Sequence, residues 1–144
     1  MKTLKRNIPI TLFGQTTLCD LLLGTYAEKP HRPAIVLMTA RPEGFPETEA
    51  FFSEPFCKAS TNAPEEFIQH LSPEHFPAKN WSENDGLWEQ LLELSDDEEL
   101  PLFHPTQHSI TLGFVHAPIV VLGAFALDLY IDLCTERLEA FPHG

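Results

Sequence analysis

The stretch that most constrains this 144-residue chain is residues 79–94, KNWSENDGLWEQLLEL, where a helix start signal meets an apolar stripe. Ser82 followed three residues later by Asp85 has capping-box spacing, in which hydroxyl and carboxylate satisfy amides that the first helical turn leaves without partners. Leu87, Trp88, Leu91, Leu92 and Leu94 then recur at helical period, and the pattern predicts a helix over 83–94. Asp85, Glu89 and Glu93 form an i, i+4, i+8 row on the opposite face. Like charges at that spacing destabilise an isolated helix by about 0.2–0.5 kcal/mol per pair. The row therefore does not serve the helix.

Around this segment the chain alternates between apolar runs and breakers. Residues 8–13, 18–26, 34–39 and 55–61 read as strands, with Phe56 the clearest core candidate of the last. The stretch 28–33 is turn-like, and 41–54 reads as a long solvated connection. Glu65 to Leu71 follows Pro64, which suits a helix start. Residues 76–81 lead into the main helix, and Trp81 is expected to pin that helix onto the sheet. Gly86 lowers helix stability by about 1 kcal/mol relative to Ala, which suggests that another segment packs closely there.

Asp96, Asp97, Glu98 and Glu99 fall at the negative end of the helix dipole, where acids are unfavourable, so they belong to a loop. Residues 100–108, with Pro101 and Pro105, continue that loop. Ile110, Leu112 and Phe114 alternate as in a half-buried strand, and 119–122 is apolar on both faces, as a buried strand would be. Asp128, Asp132, Glu136 and Glu139 share one helical face opposite Leu127, Ile131, Cys134 and Leu138, which predicts a helix over 125–140. The alternation of Leu127, Leu129, Ile131 and Leu133 leaves a strand as the alternative.

Charge decides which partners are sensible. Nine basic against 21 acidic side chains give a formal −12, and no Lys or Arg occurs from Asn80 to Glu136. Such a surface repels nucleic acid and anionic membrane and attracts basic protein surfaces. At 43% hydrophobic residues the chain has material for one core, and a domain of this size buries roughly 68–70% of its unfolded surface. Cys19, Cys57 and Cys134 are widely spaced and odd in number, so they read as reduced core residues. The N-terminus lacks a signal-peptide pattern and no apolar run approaches the roughly 20 residues of a membrane span, so the expected location is cytoplasmic.

Chemical motifs are sparse. His104 and His108 are four apart with Pro105 between them, and His116 joins them only through tertiary structure, so no metal site is expected. Glycine loops for phosphates or dinucleotides and a G-x-S-x-G elbow are missing, so no cofactor is expected. Cys57 with His70 or His75 is a pairing that chance alone supplies among three cysteines and seven histidines. Asn80-Trp81-Ser82 matches a glycosylation acceptor that a cytoplasmic chain would not use.

Several blocks nevertheless resemble a small family carried by plasmids, integrative elements and phages. They are Tyr26 with residues 34–37, then FCKASTNAP at 56–64, KNWSENDG at 79–86 and GFVHAPI at 113–119. The last two match the family's K-[N/D]-[Y/W]-S-E-N-E-G and G-F-V-x-x-P-[V/I] patterns, and the likeness spans most of residues 10–122. The resemblance implies a small α+β protein of mobile DNA and brings no catalytic residues with it. The 41–54 connection, the acidic loop and the tail beyond Leu122 depart from the pattern.

The expected architecture is one α+β domain over residues 1–144, with a family-like core at 8–122 and an extension at 123–144. Its antiparallel or mixed sheet is packed by the 83–94 helix and a C-terminal helix. The expected function is a non-enzymatic acidic module that binds a basic protein surface, such as that of a host defence complex handling nucleic acid. Its acids would act as an anti-CRISPR or antirestriction inhibitor does, through Asp85, Glu89, Glu93, Asp96, Asp97, Glu98 and Glu99. Their spacing of about 6 Å along a helix is a sparse copy of DNA, which carries about one charge per 1.7 Å. Solubility alone is the plainer account of the same acids. The alternatives are an immunity or accessory protein for a partner encoded nearby, and a small Cys/His hydrolase.

Overall fold

The computed structural model describes residues 1–26, 32–41 and 54–140, with side chains to 137. Most of the turn expected at 28–33 and of the connection expected at 41–54 lies outside the described residues. Two antiparallel sheets form a mixed α+β architecture around one shared core. The first is a meander of β1 (Lys2–Leu12), β2 (Gln15–Thr25), β3 (Pro33–Thr39) and β4 (Pro55–Lys58), in that order. A short helix α1 (Glu65–Ile68) follows Pro64 and leads to β5 (His75–Pro77). The second sheet has the order β5-β7-β6, with β6 at Phe103–Leu112 and β7 at Val115–Leu122. The chain closes with α3 (Ala124–Ala140).

Alternation explains the first sheet. Ile8, Ile10, Cys19, Leu21, Leu23, Ile35 and Leu37 all face inward and are buried, as a period of two requires. Edge strand β1 carries two register shifts, and at the second Asn7 takes a positive φ while Asp20 accepts its amide hydrogen. Edge strand β6 is blunted in the same way, by Pro105 and a shift between Pro105 and Ser109. Such irregularities discourage edge-to-edge pairing.

The sheets meet at a corner. Ser60 bridges Ala78, Thr61 donates to the Pro77 carbonyl, and Lys79 donates to that of Ala59. Side chains reinforce the corner: the Ser60 hydroxyl lies 2.7 Å from that of Tyr26 and accepts the Ile35 amide. Asn84, fully buried, donates to the Lys58 and Lys79 carbonyls. Behind the corner Phe76, Trp88 and Phe103 pack as an aromatic trio with ring centroids 5.1–5.9 Å apart. The turn at 68–75 is gathered by buried Arg32, whose guanidinium donates to the carbonyls of Ile68, Leu71, Ser72 and His75.

The 83–94 segment differs from its expected continuous helix. A single 3-10 turn at Ser82–Asn84 is followed by α2 (Leu87–Leu91), and Ser82 makes no side-chain cap. The break has a backbone cause. Asp85 is extended in ψ and Gly86 sits at φ +86°, so the helix can start only at Leu87. Asn80 caps it instead, its side-chain oxygen accepting the Trp88 amide. Gly86 is thus a conformational requirement rather than a packing one, since a Cβ there would meet nothing within 4 Å. Leu87, Trp88 and Leu91 are buried as their spacing predicts. Trp88 rather than the half-exposed Trp81 pins the helix.

Other expectations change similarly. Residues 103–108 belong to β6 rather than to a loop, because pairing with β7 overrides Pro105, which sits on an edge strand. Residues 75–77 form a strand where only a lead-in was expected. Phe56 is half-buried, and Phe114 stands fully exposed in the two-residue β6–β7 turn. The helix reading of 125–140 holds, and Ala126 and Tyr130 of α3 are buried in the common core.

Candidate docking face

The acidic loop is built as a small hairpin. Ser95 bridges Pro101, the Asp96 amide donates to the Leu100 carbonyl, and Leu102 donates to Leu94. Asp96 has a local role that its dipole position concealed: its Oδ1 accepts the amides of Glu98 at 2.8 Å and Leu100 at 3.0 Å. Asx turns of this kind fix loop geometry. Asp97, Glu98 and Glu99 project outward and are exposed.

Gly123 brings this loop against the start of α3. Its amide donates to the Leu102 carbonyl at 2.7 Å, and a Cβ at that position would lie 2.1 Å from the Pro101 oxygen. The approach creates a cleft of about 300 Å3 lined by Asp96, Asp97, Glu98 and Asp128 together with Leu100 and Phe125. Leu100 is 48% exposed and Phe125 37%. A second cleft of about 430 Å3 shares Asp96, Asp97 and Phe125, but Lys5 and Arg6 line its far side. The first is therefore the purely acidic one.

The remaining acids expected to bind a partner lie elsewhere. Since α2 has only five residues, Asp85, Glu89 and Glu93 do not form one helical row: Asp85 precedes it and Glu93 follows it. All three are exposed, and Glu89 lies beside the β6–β7 ladder. No ion pair among the described residues engages Asp85, Glu89, Glu93, Asp96, Asp97, Glu98, Glu99 or Asp128. By contrast Glu83 is bound by Lys79, which holds its carboxyl down at about 2, and Glu136 pairs with Lys2 at 2.5 Å.

Sequence reasoning found the loop acids and missed Leu100, Phe125 and Asp128 as their neighbours. The one local signal is Gly123, placed where loop and helix must touch.

The groups weighed for catalysis are arranged differently. Burial pushes the Cys57 thiol up to about 11 and that of Cys19 to about 12, far from the depressed values of nucleophilic cysteines. The His116 ring lies 3.1 Å from the Thr111 hydroxyl across the β6–β7 hairpin. Among the described residues no three His, Cys, Asp or Glu side chains converge as metal ligands would. No helix among them is long and apolar enough to cross a membrane. Compared with family models, curated proteins and solved structures, the chain matches none.

Proposed function

We propose that this chain is a non-enzymatic module that binds a basic protein surface through the cleft between the acidic loop and α3. The observation that carries this reading is the composition of that cleft. Four carboxylates with no ion-pair partner among the described residues line the same cleft as two exposed apolar side chains, Leu100 and Phe125. Acids kept only for solubility have no reason to share a cleft with exposed apolar side chains, whereas a docking surface combines charged and apolar contacts. The partner surface that suits it carries lysines and arginines, as a surface holding nucleic acid does. An inhibitor of a host defence complex, carried by mobile DNA, is the specific form of this function that the sequence resemblance favours. Pull-downs from host lysate at low and high salt test it: a basic protein recovered only at low salt supports it, and none at either salt contradicts it.

One observation favours a second reading, an immunity-type protein with a single tight partner. Phe13 is 79% exposed at the tip of the β1–β2 hairpin, with φ +53°. A bulky residue held there is uncommon and strained, and an exposed aromatic is a typical interface anchor. Co-expression with neighbouring gene products and recovery of a stable complex that withstands high salt distinguishes this reading.

A further inference from the structure

A slot of about 220 Å3 lies between α2 and the second sheet, separate from the acidic cleft. Its walls are mostly apolar: Leu92 from the end of α2, Pro105 from β6, Pro118 and Ile119 from β7, with Thr106 of β6 donating its hydroxyl to the Ile119 carbonyl. Asn80 and Glu89 also line it. The Asn80 amide is fixed in orientation because its Oδ1 accepts the Trp88 backbone N–H at 3.0 Å. Its Nδ2 then faces Glu89, 3.2 Å from Oε1 and 3.4 Å from Oε2. Glu89 is exposed and has no ion pair among the described residues. The carboxylate is held by a neutral donor, and no cation among the described residues pairs with it.

Size separates the ligand classes. Sites for drug-sized molecules run about 300–1,000 Å3, so this slot suits a single side chain. Apolar walls beside a carboxylate match lysine, whose aliphatic stem lies along apolar surface while its ammonium seeks charge and water. A guanidinium prefers a carboxylate edge open to two parallel N–H bonds. Here Asn80 already reaches toward both oxygens, which favours the point charge of an ammonium.

We propose that this slot receives a lysine side chain of the basic partner protein. Glu89 takes the ammonium, Pro105, Pro118 and Leu92 hold the stem, and Asn80 is a positioning residue. The inference rests on the acidic-module reading and gives it a specific anchor.

The test is a titration of the full chain with the blocked peptide Gly-Gly-Lys-Gly-Gly, followed by NMR at the Trp88 backbone amide and the Asn80 side-chain amide. Both signals should move saturably. They should stay still when norleucine replaces the lysine, respond less to the arginine peptide, and stop responding in Glu89→Gln. Equal movement with norleucine, movement that persists in Glu89→Gln, or no movement with the lysine peptide overturns the proposal. An equal response to arginine overturns the choice of lysine. The Asp97→Asn/Glu98→Gln variant should respond as the parent does. If its response vanishes, the peptide reads only the acidic cleft, and the slot fails while the cleft stands. A working slot beside empty pull-downs would instead contradict the proposed function alone.

Discussion

Trp88 donates its indole N–H to the Ala59 carbonyl at 2.7 Å, so the short helix α2 is tied directly to the corner where the two sheets meet. The same ring packs on Phe76 and Phe103. Trp88→Phe keeps part of that packing but removes the hydrogen bond and some volume, and should destabilise the fold by about 2 kcal/mol; Trp88→Ala should cost about 3–5 kcal/mol. The urea midpoint at unchanged slope measures both. Midpoints equal to that of the parent would show that the corner does not depend on this contact.

Gly86 and Gly123 act for different reasons, and alanine substitutions separate them. Gly86→Ala meets no neighbour but must hold φ +86°, which costs about 1–2 kcal/mol. Gly123→Ala puts a methyl 2.1 Å from a backbone oxygen, so the loop and α3 must separate. Its effect should be the larger, and it should weaken partner recovery as well as lower the thermal midpoint. Gly86→Ala should lower the midpoint alone.

Arg32 is 3% exposed and serves as a knot for the 68–75 turn. Lysine cannot span the same four carbonyls, because its ammonium is one point and the guanidinium is a fork. Arg32→Lys should therefore be destabilising by about 3 kcal/mol or more, despite conserving charge. Thermal melts of the two proteins check this.

The buried thiols give the fold an alkaline limit. Cys57 and Cys19 titrate near 11 and 12 in the folded chain against an ordinary 9, so folding favours their protonated forms. That stabilisation is complete below pH 9 and is lost as pH rises through 11 to 12. Denaturant midpoints should fall over that window, and the fall should be shallower in Cys57→Ala. At neutral pH Cys57 should react slowly with thiol reagents; rapid labelling would favour the hydrolase reading.

Strand positions were legible because residues 8–13, 18–26 and 34–39 are short apolar runs rich in leucine and β-branched residues, each bounded by breakers. The C-terminal helix was legible from its acidic face. The 83–94 helix was misread because the capping-box spacing says nothing of Gly86, whose left-handed backbone stops the helix from starting earlier. The first half of β6, residues 103–108, was missed because edge pairing, a tertiary event, tolerates Pro105. The acids of the loop could be read as exposed, but their placement in one cleft with Leu100 and Phe125 depends on Gly123 bringing two distant segments together. Such a contact leaves no periodic trace in the chain.

The account depends on where the negative charges stand rather than on how many there are. The decisive measurement compares partner recovery by two variants of equal net charge, Asp97→Asn/Glu98→Gln in the cleft and Glu54→Gln/Glu66→Gln at exposed positions elsewhere. The cleft variant should lose the low-salt partner with its thermal midpoint unchanged, while the control retains it. Equal recovery by both variants would contradict the account and leave the acids with a solubilising role alone.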